Sequence, residues 1–165
     1  MELENPFFQE VISQLNKSGV DYILIGGLAV GYYGYSRYTG DMDLWVNPES
    51  ENMEKLYTTL RNMGYPEETI NHISKNRDIE NPTPIKLWDD SNTMKVDLMT
   101  NTFQKEFSWE ECRRECKFIK VAENKFPVIH INHLIQLKKN TKRLDSSMKD
   151  LVDAAELEKI RKKDI

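Results

Sequence analysis

Cysteine is almost missing from this chain, which has Cys112 and Cys116 among 165 residues. The two stand one helical turn apart, not at the C-x-x-C spacing of zinc or redox sites, and no second Cys/His pair sits at finger spacing. Reduced, structurally minor thiols are the expectation. Histidine is as scarce. His72, His130 and His133 lack convincing metal spacing, and no catalytic role falls to them. No apolar run approaches the ~20 residues that span a bilayer. The start, Met1-Glu2-Leu3-Glu4-Asn5, is acidic where a secretory leader is basic. A cytoplasmic location without a membrane partner is therefore expected. Excess positive charge is lacking too: a net charge of −4 argues against a protein that coats nucleic acid, while leaving room for a local basic patch.

What is present is ordinary globular material, 39% hydrophobic and 30% charged, enough for one domain over residues 1–165. Asn5-Pro6 reads as a helix cap followed by proline at the first helical position, and Phe7, Phe8, Val11, Ile12 and Leu15 recur at helical spacing. Tyr22-Ile23-Leu24-Ile25 is a buried strand that breaks at Gly26-Gly27. A short helix follows from Leu28 to Tyr35. Asp41–Val46 alternates as a strand with two carboxylates on one face and Met42 on the other. An amphipathic helix spans Glu49–Met63, and a shorter one Pro66–Lys75. Pro84–Trp88 and Met94–Met99 form a hairpin around Asp89-Asp90-Ser91-Asn92. Trp109–Cys116 is helical, and Phe118–Val121 and Phe126–Ile131 bracket a turn at Glu123-Asn124-Lys125. Asn132 caps a helix through Leu137, and Leu144–Lys159 makes the last one. This order predicts an α/β (α+β) domain: a small mixed sheet flanked by helices, with a core over about 20–131 and C-terminal helices over about 132–161.

The chemistry lies in three places. Glycine at Gly26-Gly27 removes the side chains that would keep backbone N–H groups from a phosphate; a plain tight turn is the alternative. Asp41 and Asp43 point the same way, ~7 Å apart by the strand rise. Two carboxylates so placed repel unless a cation sits between them, and magnesium favours oxygen ligands; a solvated strand face is the alternative. Asp97, between Val96 and Leu98, is costly to bury without a partner. If its strand lies beside Asp41–Val46, the three carboxylates converge, and two magnesium ions about 4 Å apart can bridge them.

Glycine pair, thirteen residues, Asp-x-Asp on a strand, then a lone Asp on a later strand: this layout resembles the nucleotidyltransferase superfamily related to DNA polymerase beta. Ile25-Gly26-Gly27-Leu28-Ala29 and Arg37-Tyr38-Thr39-Gly40-Asp41-Met42-Asp43-Leu44 are similar to its minimal branch, which holds abortive-infection, toxin-like and antibiotic-modifying enzymes. Leu134–Lys139, Arg143 and Lys149-Asp150-Leu151-Val152-Asp153 resemble the helical ending of those proteins. The resemblance implies a magnesium-dependent enzyme that moves a nucleoside monophosphate from a nucleoside triphosphate to an acceptor. The acceptor is an RNA such as tRNA, a protein or a small molecule such as an antibiotic. It implies that Gly26 and Gly27 line the triphosphate and that Asp41 and Asp43 bind metal. Asp97 completes the metal site or accepts the acceptor's proton. The second glycine stands where many relatives have serine, which removes a hydroxyl from the phosphate site. Two rival roles follow: the toxin of a toxin–antitoxin pair, with an antitoxin partner, and a non-catalytic nucleotide-binding module.

Other residues carry weaker expectations. Arg37 either contacts phosphate or orients a carboxylate. Lys138, with Lys139, Lys142 and Arg143, either attracts triphosphate or RNA or forms a solvated helix end, the latter being preferred. Asp150 and Asp153, one turn apart, are expected to pair with these cations. One of Tyr32, Tyr33, Tyr35 and Tyr38 can stack on a base while the others pack.

Overall fold

The computed structural model describes residues 2–71, 84–102, 105–140 and 147–164. A single 3-10 turn, Glu2–Glu4, precedes α1, Pro6–Lys17. Asn5 Oδ1 accepts the Phe7 N–H at 2.9 Å, and Phe8, Val11, Ile12 and Leu15 face the core. The predicted cap and stripe are both there.

Strand β1 is Tyr22–Ile25, buried at all four positions, because it lies inside the sheet with β2 on one side and β6 on the other. Helix α2 is Gly26–Tyr32 and starts on the glycines themselves rather than at Leu28. Strand β2 is Asp41–Val46 as predicted. Helix α3 is Ser50–Asn62, and α4 is one turn, Glu67–Ile70; the remainder of the helix expected to reach Lys75 lies largely outside the described residues. Strands β3, Ile85–Trp88, and β4, Lys95–Met99, make the first hairpin. Asp89 ties its turn by accepting from the N–H groups of Thr93 and Met94.

Helix α5, Trp109–Glu115, begins with a capping box between Ser108 and Glu111. Strands β5, Lys117–Val121, and β6, Asn124–Val128, pair antiparallel. The turn is Ala122-Glu123, one residue earlier than predicted. Asn124 already pairs with Val121, and its side-chain amide donates to the Gln9 carbonyl and Oε1. Helix α6 is Ile131–Lys139. Its cap is His130, whose Nδ1 accepts the Asn132 N–H at 3.2 Å, and not Asn132. Helix α7 is described over Ser147–Lys163.

The described residues thus form a six-stranded mixed sheet in the order β3-β4-β2-β1-β6-β5, with seven helices around it. Strand β2 runs antiparallel to β1 and parallel to β4, and β1 is parallel to β6. No described helix is long and apolar enough to cross a membrane.

Candidate active site

Three central strands set the site. Strand β1 ends at Ile25, which faces Asp43 across the antiparallel ladder. On the other side of β2 the parallel register sets Asp41 against Lys95 and Asp43 against Asp97. Alternation then puts Asp41, Asp43, Lys95 and Asp97 on one face. Met42, Leu44, Val96 and Leu98, fully buried, point to the other. The chain breaks into α2 right beside this acidic face. Gly26 has φ +71°, and a Cβ there would stand 2.0 Å from Asp43 Oδ2. No side chain fits between loop and carboxylate, and a left-handed φ favours glycine in any case.

The predicted meeting of β2 and β4 is therefore real, but the acids do not stand alone. Lys95 Nζ lies 2.9 Å from Asp97 Oδ2 and 3.4 Å from Asp41 Oδ2. Among the described residues no three Asp, Glu, His or Cys side chains close on a common point as they stand; between Asp41 and Asp97 that place is taken by the ammonium. Asp97 is 7% exposed, and its Oδ1 is buried with no hydrogen-bond partner. Burial pushes the Asp97 carboxyl above the ordinary aspartate range, against the pull of Lys95. Burial likewise opposes the charge on Lys95, but hydrogen bonds and charge from Asp97 and Asp41 outweigh it and raise its pKa. An orphaned carboxylate oxygen beside two further carboxylates is a donor set suited to a hard divalent cation, so the residues fit such an ion once the ammonium yields. Sequence reasoning missed Lys95. The signal was there, since a residue two before Asp97 on a strand must share its face.

A second charged cluster backs the glycines. Arg37 donates from Nε and Nη2 to the two oxygens of Asp153, at 2.8 and 2.7 Å. Lys138 Nζ lies 2.7 Å from Asp150 Oδ1 and 3.0 Å from Asp153 Oδ2. Asp153 is fully buried. Burial alone would raise its pKa, yet the Arg37 fork and Lys138 hold it below the usual range. A Cβ on Gly27 would meet Thr39 Oγ1 at 3.1 Å and Arg37 Nη2 at 3.2 Å, so the glycine loop rests against this cluster. Of the two readings of Arg37, the geometry shows it gripping a carboxylate, that of Asp153 on α7. The preferred reading of Lys138 as part of a solvated helix end is corrected, because its side chain is only 10% exposed. Lys139 is more open and pairs with Glu158. Lys142, Arg143 and His72 lie outside the described residues.

Among the tyrosines, Tyr32, Tyr33 and Tyr35 pack on the core, and Tyr33 donates its hydroxyl hydrogen to the Ile129 carbonyl at 2.7 Å. Tyr38 is 73% exposed. Both cysteines are free, and burial pushes each thiol up to about 12.

Residues 6–163 match the model of a family described as nucleotidyl transferase of unknown function (DUF2204). The chain belongs to that family. It is a nucleotidyltransferase by that membership, as the motif resemblance implied. No curated protein matches it in sequence. Solved structures agree on the fold. The lincosamide antibiotic adenylyltransferase LnuA, solved with lincomycin bound, is similar at a TM-score of 0.56 and 13% identity, over 95% of this chain and 98% of that one. An antigenic nucleotidyltransferase-like protein from Paracoccidioides brasiliensis aligns at 0.54 and 16% identity, over 94% of this chain and 75% of that one. The Thermotoga maritima protein TM1012 aligns at 0.52 and 17% identity, over 94% and 89%.

Proposed function

We propose that this nucleotidyltransferase uses Asp41, Asp43 and Asp97 to hold magnesium ions, two in the full site. A nucleoside triphosphate then lies over Gly26-Gly27 and gives up its nucleoside monophosphate to a hydroxyl acceptor. The observation that carries the reading is the contact between Gly26 and Asp43, because it sets a side-chain-free stretch of backbone against an ion-binding carboxylate. A phosphate chain must touch both at once.

The roles follow from position. The backbone amides of Gly26 and Gly27 bind phosphate oxygens. Arg37, behind Gly27, and Lys138 set cationic groups on the same side, held in place by Asp153 and Asp150. Asp41, Asp43 and Asp97 bind the divalent ions. Asp97, besides binding the ion, takes the proton of the acceptor hydroxyl. That hydroxyl oxygen bonds to the α-phosphorus, and the bond to pyrophosphate breaks. Bound magnesium supplies charge neutralisation on the phosphates and on the leaving pyrophosphate.

The acceptor is an RNA such as tRNA, a protein, or a small molecule of the kind that the lincosamide enzyme binds. A toxin role with an antitoxin partner uses the same chemistry. Incubation of the protein with each labelled triphosphate, magnesium and these acceptors separates them. Asp43→Ala is expected to lower transfer by at least about 10³-fold while leaving the melting curve intact, a loss on the scale of removing a main charge-stabilising group. Pyrophosphate release that persists in this variant removes the mechanism.

A further inference from the structure

Lys95 has no part in the reaction just described, yet its ammonium lies within ion-pair distance of two of the reaction's carboxylates. Its side chain is 14% exposed and lies 5.7 Å from the centre of the Trp88 ring. The register leaves it no other place: it faces Asp41 across β2 and β4 and precedes Asp97 by two positions. The oxygens it holds, Asp97 Oδ2 and Asp41 Oδ2, belong to the same carboxylates a divalent ion requires. The two cations therefore compete. Without any cation, adjacent carboxylates of this density repel. Lysine suits temporary occupancy, being a point charge on a flexible four-carbon stem, where arginine would make a rigid fork. The ammonium also leaves the site unfinished, since Asp97 Oδ1 stays buried and unbonded.

We propose that Lys95 is a resident counter-ion. It holds Asp41 and Asp97 together while the site is free of divalent ion and yields them when the ion loads, so that divalent affinity is set by an exchange of cations. The inference rests on the reading of the acidic face as an ion site and goes beyond it, by naming what the ion displaces.

Manganese alone serves as the probe, titrated by calorimetry into chelator-treated protein with no nucleotide or acceptor. Lys95→Met and Lys95→Gln are expected to bind it about tenfold more tightly than wild type, the factor set by losing one competing charge-assisted hydrogen bond. Both variants should melt lower than wild type when metal-free and regain the difference in saturating manganese. Lys86 is the control: it faces Asp97 from β3 and acts on it through its charge but is exposed, and Lys86→Met should raise the affinity much less than the Lys95 variants do. Unchanged or weaker binding in both Lys95 variants overturns the exchange, as does an equal gain in Lys86→Met. Wild-type binding that is absent, or that survives in Asp43→Ala, overturns the ion-site reading and the exchange with it.

Discussion

Asp153 on α7 accepts two hydrogen bonds from the Arg37 fork, one to each carboxylate oxygen. The last described helix is thereby joined to the loop that leads into β2. Arg37 and Asp153 are 16% and 1% exposed in their side chains, so neither charge is comfortable without the other. Asp153→Ala is expected to cost about 3 kcal/mol of stability, as breaking a buried pair does. It should also raise KM for the triphosphate more than it lowers kcat, because it frees Arg37 and leaves Lys138 held by Asp150 alone. Denaturant unfolding and steady-state kinetics measure the two effects. An unchanged KM would show that the cluster serves the fold alone.

Gly26 and Gly27 should respond differently to alanine. At Gly26 the new Cβ meets Asp43 itself in a left-handed backbone, and kcat/KM should fall by about 10²-fold, as displacement of reacting groups by an ångström does. At Gly27 the neighbours are the side chains of Thr39 and Arg37, slightly closer than ordinary contact, and the loss should be smaller. Equal losses would contradict the contact between Gly26 and Asp43.

Burial raises the pKa of Asp97 despite its lysine partner. The folded state then takes up the proton more readily than the unfolded state, so ionised Asp97 costs stability at every pH above its folded pKa. That cost disappears below the ordinary aspartate range. In chelator-treated protein, Asp97→Asn should therefore melt higher than wild type at neutral pH, with the gap closing on acidification, and should lose transfer activity. A lower melting temperature at neutral pH would mean that the pair with Lys95 outweighs burial.

Tyr38, between Arg37 and the aspartates and largely exposed, is the tyrosine open to a base. Tyr38→Ala should raise KM for the triphosphate about fivefold, which is about 1 kcal/mol of stacking, without altering the melting curve. Titration with each nucleotide checks this and ranks the bases. A KM that does not move assigns Tyr38 no part in binding.

Much of the sheet was legible because its elements carry local signals. The apolar run of β1, the alternation of β2 and the Asp89 turn of the first hairpin each follow from a few adjacent residues. The pairing of β2 with β4 was legible only as a condition, since no local pattern sets the register of strands some fifty residues apart. Lys95 belongs to no motif of its own, and only strand alternation and the register with β2 tie it to the acids. The pairing of Lys138 with Asp150 and Asp153 was legible and is there, but its burial was not, because only tertiary packing against α7 sets it. His130 takes the cap from Asn132 because its ring nitrogen, rather than an amide oxygen, reaches the free N–H. A sequence pattern weighted toward asparagine does not anticipate that choice.

The parallel ladder that sets Asp43 against Asp97 also makes the active centre intolerant of length changes. One residue inserted between Gly40 and Asp41, or between Thr93 and Lys95, turns a whole strand over and offers Met42 or Val96 to the nucleotide in place of an acid. An insertion of two keeps polar groups outward but shifts them one rung, so that the acids no longer face each other. The spacing of the two strands' starting points is therefore as constrained as the identity of the acids they carry.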